Sequence, residues 1–230
     1  MNKTTDLLNA TFWDNNYAMR VIDIISGNDI TYNEVVIPYI KKAASHLLFT
    51  TSSVLDIGCG SGIITNILSE SFSVTGIDIS KKSIEYCKQS YPGIPFFCES
   101  IFHYNTKEKY DACFAVLVLH SIEDLSELYS TVNALLQPRG KFIIILPHPC
   151  FWPFEKIDCF NSYLAEEKYI LPFRIKNNNN YSSNMIYFHR TLSTYIQNAE
   201  IKGFRIISFE ELYEKDISKC DLIALIFEKQ

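Results

Sequence analysis

A chain of 230 residues, 47% of them apolar, is long enough for one domain with a full hydrophobic core. Its net charge of -5, with no Lys/Arg run longer than a pair, argues against gripping long nucleic acid by its phosphates. Seven cysteines without a C-x-x-C pair fit reduced cytoplasmic thiols better than a disulfide framework. The first residues show no secretory signal, and no apolar run approaches the ~20 residues of a membrane span.

In chain order, Asp6–Ser26 carries apolar residues near helical spacing, with Trp13, Tyr17 and Ala18 among them, and Gly27-Asn28-Asp29 breaks the pattern. Glu34–Leu48 predicts a second helix. Strands and helices then alternate: strand Ser53–Ile57, helix from about Gly62 to Ser71, strand Ser73–Asp78, helix from about Lys81 to Ser90 with Ser80 as its N-cap, then strand Ile94–Cys98. Tyr110–Leu117 is a continuous apolar run, as expected of a strand buried on both faces. A helix from about Asp124 to Leu136 follows, stopped by Gln137-Pro138-Arg139-Gly140, and strand Lys141–Leu146 comes next. Such alternation predicts right-handed crossovers and a doubly wound α/β sheet that binds ligands at the carboxyl ends of its strands.

The pattern breaks at Pro147. Residues 147–190 form an insertion rich in aromatics, among them Phe151, Trp152, Phe160, Tyr169, Phe173 and Tyr187. Tyr169–Ile175 and Met185–Phe188 can pair as a hairpin, with Asn177-Asn178-Asn179-Asn180 as a turn or tip. A helix from about Leu192 to Lys202 follows, ended by Gly203, and strands Phe204–Phe209 and Leu222–Phe227 close the sheet.

The most specific chemistry lies in Val54-Leu55-Asp56-Ile57-Gly58-Cys59-Gly60-Ser61-Gly62. A strand, an acid and a loop with Gly at every second position let a backbone pass close to a nucleotide-like ligand. Asp78, twenty residues after Gly58 at the end of the next apolar run, suits the two hydroxyls of a ribose. A dinucleotide fingerprint needs Gly where Ile63 stands, and no G-K-[ST] phosphate loop occurs.

These two segments resemble the first and second motifs of the class I S-adenosylmethionine-dependent methyltransferases. The resemblance implies a single Rossmann-like domain over residues 1–230 with a seven-stranded, mostly parallel sheet and an antiparallel last strand. Residues 1–50 would form a helical lid and residues 147–190 a cap over the substrate. It implies S-adenosylmethionine as cofactor, S-adenosylhomocysteine as product, and no metal. Gly58, Cys59 and Gly60 then line the cofactor. Asp56 orders the loop and the amino-acid end, either by direct contact or as a structural carboxylate. Asp78 holds the ribose and Ile79 packs on the adenine. Ser100 hydrogen-bonds the adenine edge or caps a helix; Ile101 offers apolar contact and Leu117 its backbone. Trp13 and Tyr17 either cover the methionine part or face the core, and Arg20 either pairs with the cofactor carboxylate or is solvated.

Methyl transfer from a sulfonium is an in-line displacement with an activated leaving group, so the protein mainly orients and desolvates. His120 and His148, each just past a strand end, are candidates for a base or a substrate-orienting donor, with structural roles as the alternative; Tyr17 is a third catalytic candidate. His189 and Arg190 lie either near the active-site mouth or at a helix start. His148, Phe151, Trp152, His189 and Arg190 are the candidate substrate contacts. No [DNS]-P-P-[YF] follows the fourth strand and Pro149-Cys150 is followed by Phe151, which disfavours the DNA adenine and cytosine C5 chemistries. Glu123-Asp124 suits helix capping. The expected substrate is a small aromatic or amphipathic metabolite, methylated on N or O. An RNA- or peptide-modifying enzyme is the alternative, and a non-enzymatic cofactor-binding subunit is disfavoured by the intact loop. The expected protein is a cytoplasmic monomer or homodimer without membrane partners.

Overall fold

The computed structural model describes residues 3–173, 184–213 and 220–230. Helix α1 spans Lys3–Ile25. Thr5, Asn9, Phe12 and Asn16 are buried along its first part at helical spacing and Val21, Asp23 and Ile24 beyond them, so the face it turns inward mixes polar and apolar side chains. The expected helix over Glu34–Leu48 begins differently. A π-helical turn over Thr31–Val36 leads into α2, Ile37–Leu47. Pro38 has no N–H to give the Glu34 carbonyl, and Ile37 N bonds the Tyr32 carbonyl five residues back, so the turn widens before the regular helix begins.

The alternating region follows: β1 (Ser53–Ile57), α3 (Ile63–Ser69), β2 (Ser73–Asp78), α4 (Lys81–Ser90), β3 (Phe96–Cys98), β4 (Tyr110–Val116), α5 (Leu125–Leu135) and β5 (Leu136–Pro147). In the insertion, α6 (Trp152–Lys156) precedes a hairpin of β6 (Lys168–Pro172) and β7 (Asn184–Phe188). The hairpin pairs the segments expected, Tyr169 opposite Tyr187; Ile175 and the Asn177–Asn180 tip lie outside the described residues. Helix α7 (Leu192–Ile201), β8 (Phe204–Leu212) and β9 (Leu222–Lys229) complete the chain.

Seven strands form one sheet in the order β3-β2-β1-β4-β5-β9-β8. All pairings are parallel except those of β9 with β5 and β8, which gives the expected mostly parallel sheet with an antiparallel last strand. The order reverses between β1 and β4, the topology at which open α/β sheets bind ligands beyond the carboxyl ends of their strands. Several strand boundaries differ from expectation, β8 and β9 running on to Leu212 and Lys229, and two of the differences have a local cause. β3 is shorter because Pro95 cannot donate to a ladder, although its carbonyl accepts from Gly76 N at 3.0 Å. β5 starts at Leu136 rather than Lys141: the register jumps from Tyr110↔Leu136 to Ala112↔Lys141, and residues 137–140 bulge, with Arg139 at φ 62°.

Apolar side chains cover both faces. On one, Tyr129 of α5 meets Phe142, Phe204 and Phe227 edge-on near 6 Å, each pair adding ~0.5–1.5 kcal/mol beyond area burial. On the other, Val36 and Ile40 with Ile64 and Leu68 pack on Val54, Phe114 and Ile143. A separate cluster joins α1 to the insertion: Phe12 and Trp13 pack with Trp152, Phe160, Tyr169, Phe173 and Tyr187. Among the described residues no helix is long and apolar enough to cross a membrane.

Candidate cofactor and active site

The loop after β1 is set by three left-handed glycines: Gly58, Gly60 and Gly62 at φ 68°, 52° and 73°. Their surroundings differ. A Cβ on Gly58 would lie 2.4 Å from Val118 Cγ2, and one on Gly62 would lie 2.8 Å from Cys87 Sγ; one on Gly60 would meet nothing within 4 Å. Gly58 and Gly62 are therefore fixed by packing inside the protein, whereas Gly60 turns its bare Cα to open space, where a ligand can rest against peptide.

Asp78 ends β2 beside that loop. Gly60 N donates to its Oδ2 at 2.9 Å and Ser80 N to its Oδ1 at 2.7 Å. The carboxylate is thus oriented by backbone, and each oxygen keeps a lone pair for a hydroxyl. Burial raises its pKa, while the Ser80, Gly60 and Ile79 N–H groups work the other way. Asp56 is only 1% exposed and accepts from Thr65 Oγ1 at 2.6 Å, which ties β1 to α3. Burial lifts its pKa to about 7; the Thr65 bond opposes this and the Asp78 charge adds to it. Cys59 is buried near Cys87 and under Gly76; burial, then Cys87 and the nearby carboxylates hold it as a thiol.

Ile79 is half-buried next to Asp78, and Ile101 is buried in the main cluster. Ser100 Oγ donates to Asp6 Oδ2 at 2.9 Å, so the hydroxyl expected at the adenine edge is held by α1. Leu117 N bonds the Ile145 carbonyl at 2.7 Å, and the residue sits at φ 58°, a costly conformation for leucine. That turn delivers Val118 onto Gly58.

Helix α1 lies across the strand ends. Asp14 Oδ1 accepts from Ser80 Oγ at 2.7 Å and Lys82 N at 3.0 Å. Asn9 Nδ2 donates to the Ser121 carbonyl at 3.0 Å, and Thr5 Oγ1 to Glu123 Oε2 at 2.7 Å. With Asp6 on Ser100, α1 bonds the segments that follow β2, β3 and β4. The sequence reading missed Asp6 and Asp14. The signal was present as polar residues recurring on the inward face of an otherwise apolar helix. Trp13 packs edge-on against Phe12 at 4.8 Å and Phe173 at 5.5 Å, and Tyr17 is half-buried one turn later. Arg20 pairs with Asp29 and stands 5.0 Å over the Tyr32 ring, so it is not a solvated surface arginine.

The histidines divide. His120, on a 3₁₀ turn over Leu119–Ser121, is buried, tilted 5.8 Å from Tyr187, with no hydrogen-bond partner on Nδ1. Burial, helped by the Arg190 charge, lowers its pKa to about 4. His148 faces the β8 side. Its Nδ1 accepts from Cys150 N at 3.1 Å, so Nε2 carries the hydrogen and donates to Glu211 Oε1 at 3.2 Å. His148, Glu211 and Cys220 hold their ligand atoms within 4.8 Å of one another. The lone pair a metal would need on His148 is already given to Cys150 N–H.

Phe151 lies tilted against His148 at 4.5 Å, and Trp152 against Tyr187 at 4.7 Å. His189 Nε2 donates to the Tyr163 carbonyl at 2.8 Å, and its Nδ1 lacks a partner. Arg190 Nη2 donates to the Ile122 and Glu123 carbonyls at 2.7 and 2.6 Å, pinning the segment that carries His120.

Residues 55–144 match the family model described as a methyltransferase domain. This stretch is similar to that family. The fold around it is that of the class I S-adenosylmethionine-dependent methyltransferases. An S-adenosylmethionine-dependent methyltransferase from Mesorhizobium loti superposes with a TM-score of 0.68 at 21% identity, over 82% of this chain and 96% of that one. A 1,6-didemethyltoxoflavin-N1-methyltransferase from Burkholderia thailandensis, with 1,6-didemethyltoxoflavin and S-adenosylhomocysteine bound, gives 0.62 at 15% identity over 93% of this chain and 87% of that one. In sequence, the ubiquinone biosynthesis O-methyltransferase of Rickettsia canadensis is 29% identical over 157 residues, 65% of this chain and 64% of that protein. The chain spans less than two thirds of the length of the first curated relatives it matches. In this methyltransferase fold the Gly60–Asp78 corner lies at the carboxyl ends of β1 and β2, beside the β1–β4 switch point where the sheet topology places a ligand.

Proposed function

We propose that this protein binds S-adenosylmethionine between Gly60 and Asp78 and transfers its methyl group to an N or O atom of a small aromatic or amphipathic metabolite. The observation that carries the reading is the pairing of one glycine open to a ligand with a backbone-oriented carboxylate beside it. Relatives whose names specify O- or N-methylation of small compounds support the acceptor class.

S-adenosylmethionine supplies an activated methyl group for in-line displacement. The residues present then have defined tasks. Asp78 accepts from the ribose hydroxyls, and the Gly60 peptide gives close approach. Helix α1 and the aromatic insertion cover the crevice and exclude water. His120 is neutral at pH 7, and its partnerless Nδ1 is suited to a hydrogen bond from the acceptor group. A pKa near 4 makes it a weak base, so orienting an acceptor suits it better than removing a tightly held proton. His148, tied to Cys150 and Glu211, shapes the cap.

Calorimetric titration with S-adenosylhomocysteine tests the cofactor assignment, and no heat of binding refutes it. Incubation of cell extract with methyl-labelled cofactor tests the acceptor. Label in a low-mass fraction is expected; label confined to RNA or peptide overturns the metabolite assignment.

A further inference from the structure

We propose that Asp14 of α1 is a positioning residue for the cofactor ribose, acting through Ser80 on Asp78, so that docking the helix and holding the ribose are one event. The inference rests on the cofactor reading above and adds a residue to it. The chain of contacts is short. Asp14 Oδ1 accepts from Ser80 Oγ at 2.7 Å, Ser80 N donates to Asp78 Oδ1 at 2.7 Å, and Gly60 N donates to Asp78 Oδ2 at 2.9 Å.

Ser80 is fully buried, and its hydroxyl also accepts from Ser83 N at 3.1 Å. A hydroxyl that accepts from one fixed group and donates to another has no free rotation. Its backbone N–H is then held in the direction that orients Asp78. Removing Asp14 leaves Ser83 N as the hydroxyl's remaining partner and leaves Lys82 N without its carboxylate. The negative charge of Asp14 also adds to the effect of burial in making Asp78 a stronger acceptor for a hydroxyl.

Helix α1 does not depend on Asp14 to stay in place. Thr5, Asp6 and Asn9 hold its first turns, and Phe12 and Trp13 pack into the insertion cluster. A change at position 14 therefore probes the link to Asp78 rather than the attachment of the helix.

The test is a double-mutant cycle on S-adenosylhomocysteine affinity by calorimetry, with Asp14→Ala, Asp78→Ala and the pair. Asp14→Ala alone should weaken binding by about 5-fold or more, as for a lost hydrogen bond, and by less than about 2-fold when Asp78 is already alanine. Asp14→Asn, which keeps the accepting oxygen, should recover most of the affinity. Equal losses in both backgrounds, or no loss from Asp14→Ala, overturn the proposal and leave Asp14 a packing residue. If Asp14→Ala melts below the assay temperature, Ser80→Ala severs the same link and carries the cycle with the same expectations. Wild-type protein that fails to bind S-adenosylhomocysteine defeats the cofactor reading itself. Wild-type binding that Asp78→Ala weakens and Asp14→Ala leaves intact defeats this inference alone.

Discussion

His120→Leu should change the pH dependence of folding in a way that isolates one buried imidazole. His120 is 5% exposed, and its pKa is lowered from 6.5 to about 4, first by burial and then by Arg190. The unfolded chain therefore takes up this proton before the folded one, so stability is complete above pH 6.5 and is lost as pH falls toward 4. At about 1.36 kcal/mol per pH unit, the loss is about 2 kcal/mol by pH 5 and about 3 kcal/mol by pH 4. Asp56 acts in the opposite sense. Its pKa rises from 3.8 to about 7, so the folded state binds that proton first and gains stability on acidification between those values. In the wild type the two effects nearly cancel between pH 4 and 6.5, and only the difference between variant and wild type shows His120. Urea unfolding at pH 7.5 and pH 5.0 measures it. Relative to wild type, the leucine variant should be about 2 kcal/mol better off at pH 5.0 than at pH 7.5. Differences that agree within about 0.5 kcal/mol at the two pH values would refute a buried neutral His120.

The same titration applies to Asp56→Asn, which keeps an acceptor for Thr65 and removes the ionisation. Relative to wild type it should gain about 3–4 kcal/mol between pH 4 and pH 8, and a constant difference contradicts the raised pKa. Asp78→Ala should weaken S-adenosylhomocysteine binding by about 10- to 150-fold, the ~1.5–3 kcal/mol of hydrogen bonds to a charged acceptor; unchanged affinity removes it from the ribose. Gly58→Ala and Gly60→Ala should separate in opposite ways. The first drives a methyl into Val118 and should lower the melting temperature sharply; the second adds only backbone strain of ~1–2 kcal/mol but blocks the ligand face, so affinity should fall more than stability. Equal melting and binding losses in the two variants would contradict the assignment of Gly60 to the ligand side.

The parts of the site legible in sequence are those where one residue type answers one backbone demand. Glycines at 58, 60 and 62 all take φ values costly for other residues, and acids at the ends of β1 and β2 recur at the strand–loop junctions where the pattern put them. The buried strands were equally legible, because β4 and β5 are apolar on both faces. Elements governed by tertiary contact were not. The bulge at 137–140 looks like a loop, since Pro138 and Gly140 favour turns, yet pairing with β4 resumes on either side of it. Ser100 has the composition of an adenine contact, and only the placement of α1 shows Asp6 on its hydroxyl. The role of α1 was half legible. Its apolar residues announced a helix, but Thr5 and Asn9 are buried because they bond the segment after β4, Thr5 at the Glu123 side chain and Asn9 at the Ser121 carbonyl, a contact only the tertiary fold creates.

Arg190, expected among the substrate contacts, is bonded in the structure to the carbonyls that follow β4. The chain leaves β4 through Leu117 at φ 58°, a conformation that costs on the order of 1–3 kcal/mol and persists only where the surroundings over-determine it. Leu117 N is held by the Ile145 carbonyl before the turn, and Arg190 holds the Ile122 and Glu123 carbonyls after it. Between those two anchors lie Val118, against Gly58, and His120, against Tyr187. The guanidinium that pins the segment also places its positive charge near His120 and helps keep that ring neutral. One buried arginine therefore holds the segment that carries His120 and adds its charge to the larger effect of burial in keeping that ring neutral.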